Sequence, residues 1–353
     1  MSVPQTEKIA RPPDYGRKFA LLAVIFAAAF VTSFMIGRYP IDPVTFVKVL
    51  LSHALPADFA ILIERTWEDA ADTVVMRVRL PRVMAAALIG AALSAAGAAY
   101  QGMFRNPMVS PDILGASSGA GFGAALGILL DLGYFGISAA AFLFGLGAVL
   151  LAYFIAGKSR INAVLAMVLS GMMVSSVFTS ATSFIKLIAD TEEVLPAITY
   201  WLMGSLASIR GRDTLFLAMP VLPCLLILIL LRWRINLLTV GEDEARAMGV
   251  NTGRLRAAVI LCATLLTASS VAVSGMIGWV GLVIPHFCRM LFGHDYSRLI
   301  PASCLFGAAF LIIVDDIARL LATNEIPIGI LTSFIGAPVF VWLILKGGAG
   351  DDR

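Results

Sequence analysis

A serine framed by glycines, and a histidine far along the chain, are the first residues that could do chemistry. Residues 115–119 read Gly-Ala-Ser-Ser-Gly, a G-x-S-x-G pattern, and His286 lies in GLVIPHFCR (281–289). Brought together on facing helices, Ser117 as nucleophile and His286 as base would make an intramembrane serine hydrolase. The nucleophile elbow, however, needs a strand-turn-helix setting, and small residues at this spacing are explained by helix packing. A histidine next to Pro285 has a plainer use, bonding a backbone carbonyl that the proline frees. The glycine-rich GAGFGAALG (119–127) has no lysine after its glycines and no βαβ pattern around it, so it does not read as a phosphate loop. Any ATP and magnesium used by this protein must then sit on another chain. The four cysteines (Cys224, Cys262, Cys288, Cys304) lie in apolar runs without metal-ligand spacing, and with three histidines in all no metal site is expected. The reading is of a chain that is not itself an enzyme and binds no cofactor.

Three charged constellations remain. Arg79-Leu80-Pro81-Arg82 stands where an apolar run begins. Proline suits a first helical turn, but two arginines there oppose the helix dipole, and an acidic docking partner would justify them. Asp315, Asp316 and Arg319 stand near the end of another apolar run. Charge at membrane depth is costly and usually paired. The i,i+4 and i,i+3 spacings allow pairing within one helix, or part of the charge faces an outside partner. Thr239–Thr252 (TVGEDEARAMGVNT) is polar and mostly helix-favouring, with Gly249 as a helix stop. From composition it is either a solvated connector or a short helix that docks into a partner.

The elements that must carry these residues are spanning helices. Of 353 residues, 59% are hydrophobic and 14% charged, with mean hydropathy +0.90, whereas a soluble domain carries about 25% charged residues. A crossing needs about 20 apolar residues. Ten such segments are predicted, at approximately 19–37, 81–104, 112–130, 136–157, 162–189, 214–232, 253–273, 277–292, 301–321 and 327–346. The short segment 193–208 is expected to lie at the membrane surface. The first apolar stretch is longer than the core of a signal peptide, roughly 7–15 residues, so it reads as a retained helix. An N-terminus and C-terminus inside place sixteen of the 26 Lys and Arg on the cytoplasmic side, among them Lys8, Arg11, Arg105, Arg254 and Arg353. Six of the other ten lie in or beside the long loop 38–80 that this orientation puts outside. The organisation predicted is one all-α transmembrane domain, 1–353, with a cytoplasmic segment at 239–252. Gly115, Gly119 and Gly123 form two successive G-x-x-x-G steps for close helix packing. A secondary transporter is the other alternative, but it would place ionisable residues mid-helix, and most charges here stand near helix ends. The expected contacts are membrane lipid and protein partners rather than nucleic acid.

In RLPRVMAAALIGAALSAAGAAYQGMFRNPMVSPDILGASSGAG (79–121), GEDEARAMGV (241–250), SGMIGWVGLVIPHFCRML (274–291) and IPIGILTSFIGAPVFVWLILK (326–346), the chain resembles the membrane subunits of FecCD-type ATP-binding-cassette importers. That resemblance implies a type II importer permease fold of ten helices, paired as a homodimer in the inner membrane. It implies two cytoplasmic ATPase subunits, a soluble substrate-binding protein outside, and a metal chelate (ferric siderophore, haem or cobalamin) moved by alternating access. It assigns docking of the binding protein to Arg79, Arg82 and Arg319. Coupling to the ATPase falls to Glu242, Asp243, Glu244, Ala245, Arg246 and Gly249, and the cytoplasmic gate to Ser159, Arg160 and Asn162. Asp315-Asp316 stands where such subunits are expected to have one acidic residue, and Asp243-Glu244-Ala245 matches the importers' Glu-Ala-Ala loop only loosely.

Overall fold

The computed structural model describes residues 14–56, 65–322 and 324–347, and among them the chain is helical with no strand. Lys8, Arg11 and Arg353, and residues 57–64 of the long loop, lie outside the described residues. The helices are α1 (Tyr15–Ser33), α2 (Pro43–Ala54) and α3 (residues 69–104), then α4 (Ala116–Leu129), α5 (Gly133–Lys158), α6 (Ala163–Ile188) and α7 (Val194–Leu202). They continue with α8 (Gly211–Val240), α9 (Glu242–Ala247), α10 (Thr252–Ser274), α11 (Val280–Phe292), α12 (Tyr296–Leu320) and α13 (Ile328–Gly347).

Seven of these, α1, α3, α5, α6, α8, α10 and α12, are long and apolar enough to cross a membrane. The three further predicted crossings are α4, α11 and α13. The 14 residues of α4 rise only ~21 Å, short of a hydrocarbon core of ~30 Å. The helix does not start at 112, where the predicted segment begins, because Pro111–Leu114 forms a 3-10 turn and Gly115 breaks the run in the left-handed region at φ +87°. Helix α2 was not predicted. Asp42 caps it by accepting from Thr45 N–H at 2.9 Å, with Pro43 in its first turn.

Helix α3 is the centre of the bundle, buried along nearly all of Pro81–Phe104, and α8, α10, α11 and α12 pack around it. Its sequence explains this placement. Lipid gives little hydrophobic drive between helices, so close backbone approach supplies the contact. A Cβ at Gly90 would fall inside contact distance of the Gly307 carbonyl on α12, and one at Gly97 inside that of Gly281 on α11. On the other side of the bundle Gly119 and Gly123 bring α4 against the Phe144 and Ala140 carbonyls of α5. Gly115 is not part of that stripe. It is the turn before α4, packed on Gly171 and Ser175 of α6.

The start of α3 departs from expectation. The helix begins at Asp69, and Val74–Arg79 forms a π turn within it. Pro81 therefore lies inside the helix instead of opening it. A proline interior to a helix removes a hydrogen bond and crowds the preceding turn, and a widened turn directly upstream relieves both. Thr214 of α8 donates to the Pro81 carbonyl at 3.0 Å and ties α8 to this turn.

Candidate functional site

Where α1, α3 and α12 meet, they hold an ionic cluster at one end of the bundle. Arg82 donates through Nη2 and Nε to Asp315 at 2.8 and 3.0 Å, and through Nη1 and Nη2 to Glu325 at 3.0 and 2.8 Å. Arg319, one turn beyond Asp315, brings its Nε within 3.3 Å of that carboxylate and pairs with Asp316. Ser33 of α1 donates to Asp316 at 2.6 Å and accepts from Arg319 at 2.7 Å. Arg79 donates to the Phe34 and Tyr39 carbonyls just beyond α1. Charge-assisted and bidentate bonds are the strong ones, and a buried charge is tolerated only when it is answered in this way.

Arg79, Arg82 and Arg319 are 4%, 5% and 7% exposed. They were expected to face outward toward an acidic partner. In this conformation they are turned inward, because carboxylates and carbonyls satisfy them there. The objection from the helix dipole also falls away, since α3 starts ten residues before Arg79. Asp315 and Asp316 do pair with Arg319 as the i,i+4 and i,i+3 spacings allow, but Asp315 serves Arg82 as well. Glu325, in the link between α12 and α13, completes the cluster and was missed. A lone glutamate in a short loop carries no sequence signal for a partner more than 240 residues away.

At the opposite end, Gly241 and Gly249 bracket α9. Gly249 stands at φ +81°, the left-handed stop expected of it. Glu242 accepts from Arg246 at 2.9 Å, Arg256 of α10 at 3.0 Å and Thr252 at 3.3 Å. Burial works to raise the Glu242 carboxyl, but the Arg256 and Arg246 guanidiniums outweigh it and hold it below the usual glutamate range. Ala245 is fully buried, whereas Asp243, Glu244, Arg246 and Gly249 are exposed. Beside this segment opens a pocket of about 540 Å³ bordered by Trp233, Arg234, Met248, Asn251 and Arg254. The arrangement is a short helix anchored by one alanine and one ion pair, presenting a charged face next to a cavity.

Ser159, Arg160 and Asn162 link α5 to α6 and are exposed. Asn162 caps α6 by accepting from Val164 N–H at 2.9 Å, and Ser159 accepts from Ile161 N–H at 3.4 Å. Ser117 donates to Asp112, and no hydrogen bond joins it to His286 among the described residues. His286 borders a different pocket, with Gln101 and Arg289. The serine–histidine pairing that a hydrolase needs is therefore not assembled in this structure. Gln101 and Arg289, bonded to each other inside the bundle, were also missed. An amide and a guanidinium in otherwise apolar helices were the signal available.

The model of the FecCD transport family matches residues 24–346. The molybdate import system permease protein MolB of Haemophilus influenzae is 39% identical over 97% of this chain and 100% of its own length. A probable iron chelatin transport system permease protein of Helicobacter pylori is 38% identical over 77% of this chain and 82% of its own. Among solved structures, a chain described as an inward-facing metal-chelate type ABC transporter superposes with a TM-score of 0.83 at 39% identity, covering 94% of this chain and 100% of that one.

Proposed function

The chain belongs to the FecCD transport family, a family of permeases rather than enzymes, and from that premise we propose that it is the membrane subunit of an ATP-driven importer. In this reading two copies pair in the inner membrane with both termini in the cytoplasm. Two ATPase subunits, which carry the ATP and magnesium, dock against α9, and a binding protein delivers cargo from outside. The observation that carries the proposal is α9 itself. An exposed charged helix, rooted in the bundle by Ala245 and by the Glu242–Arg256 pair, can accept a push from a partner and pass it to α10. Exposed Ser159, Arg160 and Asn162 at the same end stand as the gate. At the other end the buried arginines would act at one remove. They fix the corner on which a binding protein lands, while exposed Arg77, Arg210 and Arg212 supply surface charge for an acidic one.

Two cargoes deserve direct competition. The segments resembling chelate permeases favour a metal chelate, and the full-length similarity to a molybdate permease favours a small oxyanion. The test is reconstitution of the chain with its ATPase and binding protein in proteoliposomes, supplying labelled molybdate in one arm and ferric siderophore, haem or cobalamin in others. ATP-dependent uptake of one of these identifies the cargo. Failure of the chain to capture any ATPase subunit, with no ATP-dependent uptake in any arm, overturns the importer reading.

A further inference from the structure

A second polar site lies at the end of the bundle that carries α9, between the ends of α3, α8, α11 and α12. It is a pocket of about 420 Å³ whose polar lining includes Gln101, Arg105, Thr239, His286, Arg289 and His294. Two of these are arginines, two are histidines, and among the described residues no carboxylate lines the pocket.

Arg289 is the informative member. It is 8% exposed. Its Nη2 donates to the Gln101 side-chain oxygen, a neutral acceptor, while its Nη1 is buried and has no hydrogen-bond partner among the described residues. Arg82 and Arg319 in the other cluster each meet carboxylates. A buried guanidinium without a counter-charge costs several kcal/mol, so an unanswered one lining a cavity calls for an anion. The surroundings agree. Gln101 is held by donating to the Val109 carbonyl at 3.0 Å, which keeps its oxygen toward Arg289. Asn106 accepts from Met108 N–H at 2.9 Å, leaving its own amide to donate. The Nδ1 of His286 is likewise buried without a partner. The lining thus offers two guanidiniums and the Asn106 amide as donors, which suits a ligand rich in anionic oxygen. Pro107, Met290 and the ring of Tyr296 add apolar surface, which suits a carbon-bearing substituent. Basic pockets between spanning helices at the cytoplasmic side are a known setting for anionic headgroups.

We propose that this pocket binds a phosphate-bearing ligand, its phosphoryl oxygens held by Arg289 and Arg105. The chemistry is shared by free phosphate and by an anionic phospholipid headgroup. The test uses the full chain, purified in detergent and stripped of lipid. One arm titrates inorganic phosphate and follows thermal stability. The other compares retention of phosphatidylglycerol and phosphatidylcholine by native mass spectrometry. Stabilisation by phosphate identifies the free ion, and preferential retention of phosphatidylglycerol identifies the headgroup. In either arm R289Q should weaken binding roughly 10- to 100-fold, the scale of lost bonds to a charged group. Arg105 is exposed, so R105Q should fold normally and weaken binding by a smaller factor, which keeps the proposal testable if R289Q fails to fold. Exposed Arg232, outside the pocket, provides R232Q as the control. The proposal is overturned if neither ligand binds, if R105Q and a folded R289Q bind as the native chain does, or if R232Q weakens binding equally.

Discussion

The two ends of this bundle each pair an arginine with a carboxylate, for opposite purposes. In the α1–α3–α12 corner, Arg82 and Asp315 have side chains 6% and 1% exposed. In the α9 segment, Glu242 and Arg246 are 35% and 62% exposed. The bond lengths hardly differ, at 2.8 and 2.9 Å. What differs is the state each group returns to when its partner is lost. An arginine inside the corner has no water to turn to, so the cluster fixes the relative positions of three helices and the α12–α13 link. The α9 carboxylate does have water, so its pair orients a segment without committing it. One end is held rigid, and the other remains available to a partner.

The comparison breaks most visibly at Arg82. Replacing it with glutamine leaves Asp315 and Glu325 with one cation fewer, and loss of one partner of a buried pair costs about 3–5 kcal/mol. R82Q should unfold well below the native chain in a thermal melt of the detergent-solubilised protein. Replacing Arg82 by methionine and Asp315 by leucine together should recover part of that loss, because Asp315 is then not stranded, Arg319 keeps Asp316, and Glu325 is the more exposed carboxylate of the cluster. An R82Q melting curve that overlays the native one would mean that the corner is as loosely committed as α9.

A packing variant separates charge from shape at the same helix pair. A Cβ at Gly307 would collide with Gly90 and Ser94 of α3. G307A should cost about 1–3 kcal/mol, the range for overpacking, without touching a single charge. Its melt should fall between those of R82Q and the native chain. A neutral G307A would show that α3 and α12 are held by the ionic corner alone.

Much of this architecture is legible in the residues themselves. Long apolar runs announce α1, α5, α6, α8, α10 and α12, and alanine and glycine mark α3 as the crowded centre, because lipid makes both patterns nearly obligatory. The polar stretch around Gly249 announces α9 for the same reason. The corner is legible only in halves. Arg319 with Asp315 and Asp316 follows from helical spacing, whereas Arg82 with Glu325 depends on how α3 and α12 pack, which no local spacing encodes. The π turn before Pro81 was hidden too, since a proline after two turns of polar and β-branched residues looks like a helix start. Gly115 shows the reverse case. It fits a four-residue stripe by sequence, yet a left-handed turn removes it from the helix.

The smallest effect belongs to Glu242, and it sharpens the contrast by its dependence on pH. Its pair with Arg256 and Arg246 is partly solvated, so E242Q should lower stability by no more than about 1 kcal/mol at neutral pH. The two guanidiniums hold the folded carboxyl below its ordinary value, so the unfolded chain takes up the proton first as the medium is acidified. The contribution is therefore fully present above the ordinary glutamate pKa of about 4.3 and fades as pH falls through the lower folded value. Melting curves of E242Q and the native chain should differ slightly at pH 7 and converge as the medium is brought below pH 4. A gap that stays constant with pH would mean that the substitution acts through packing around Ala245, and the α9 end would then be built more like the corner than the exposures indicate.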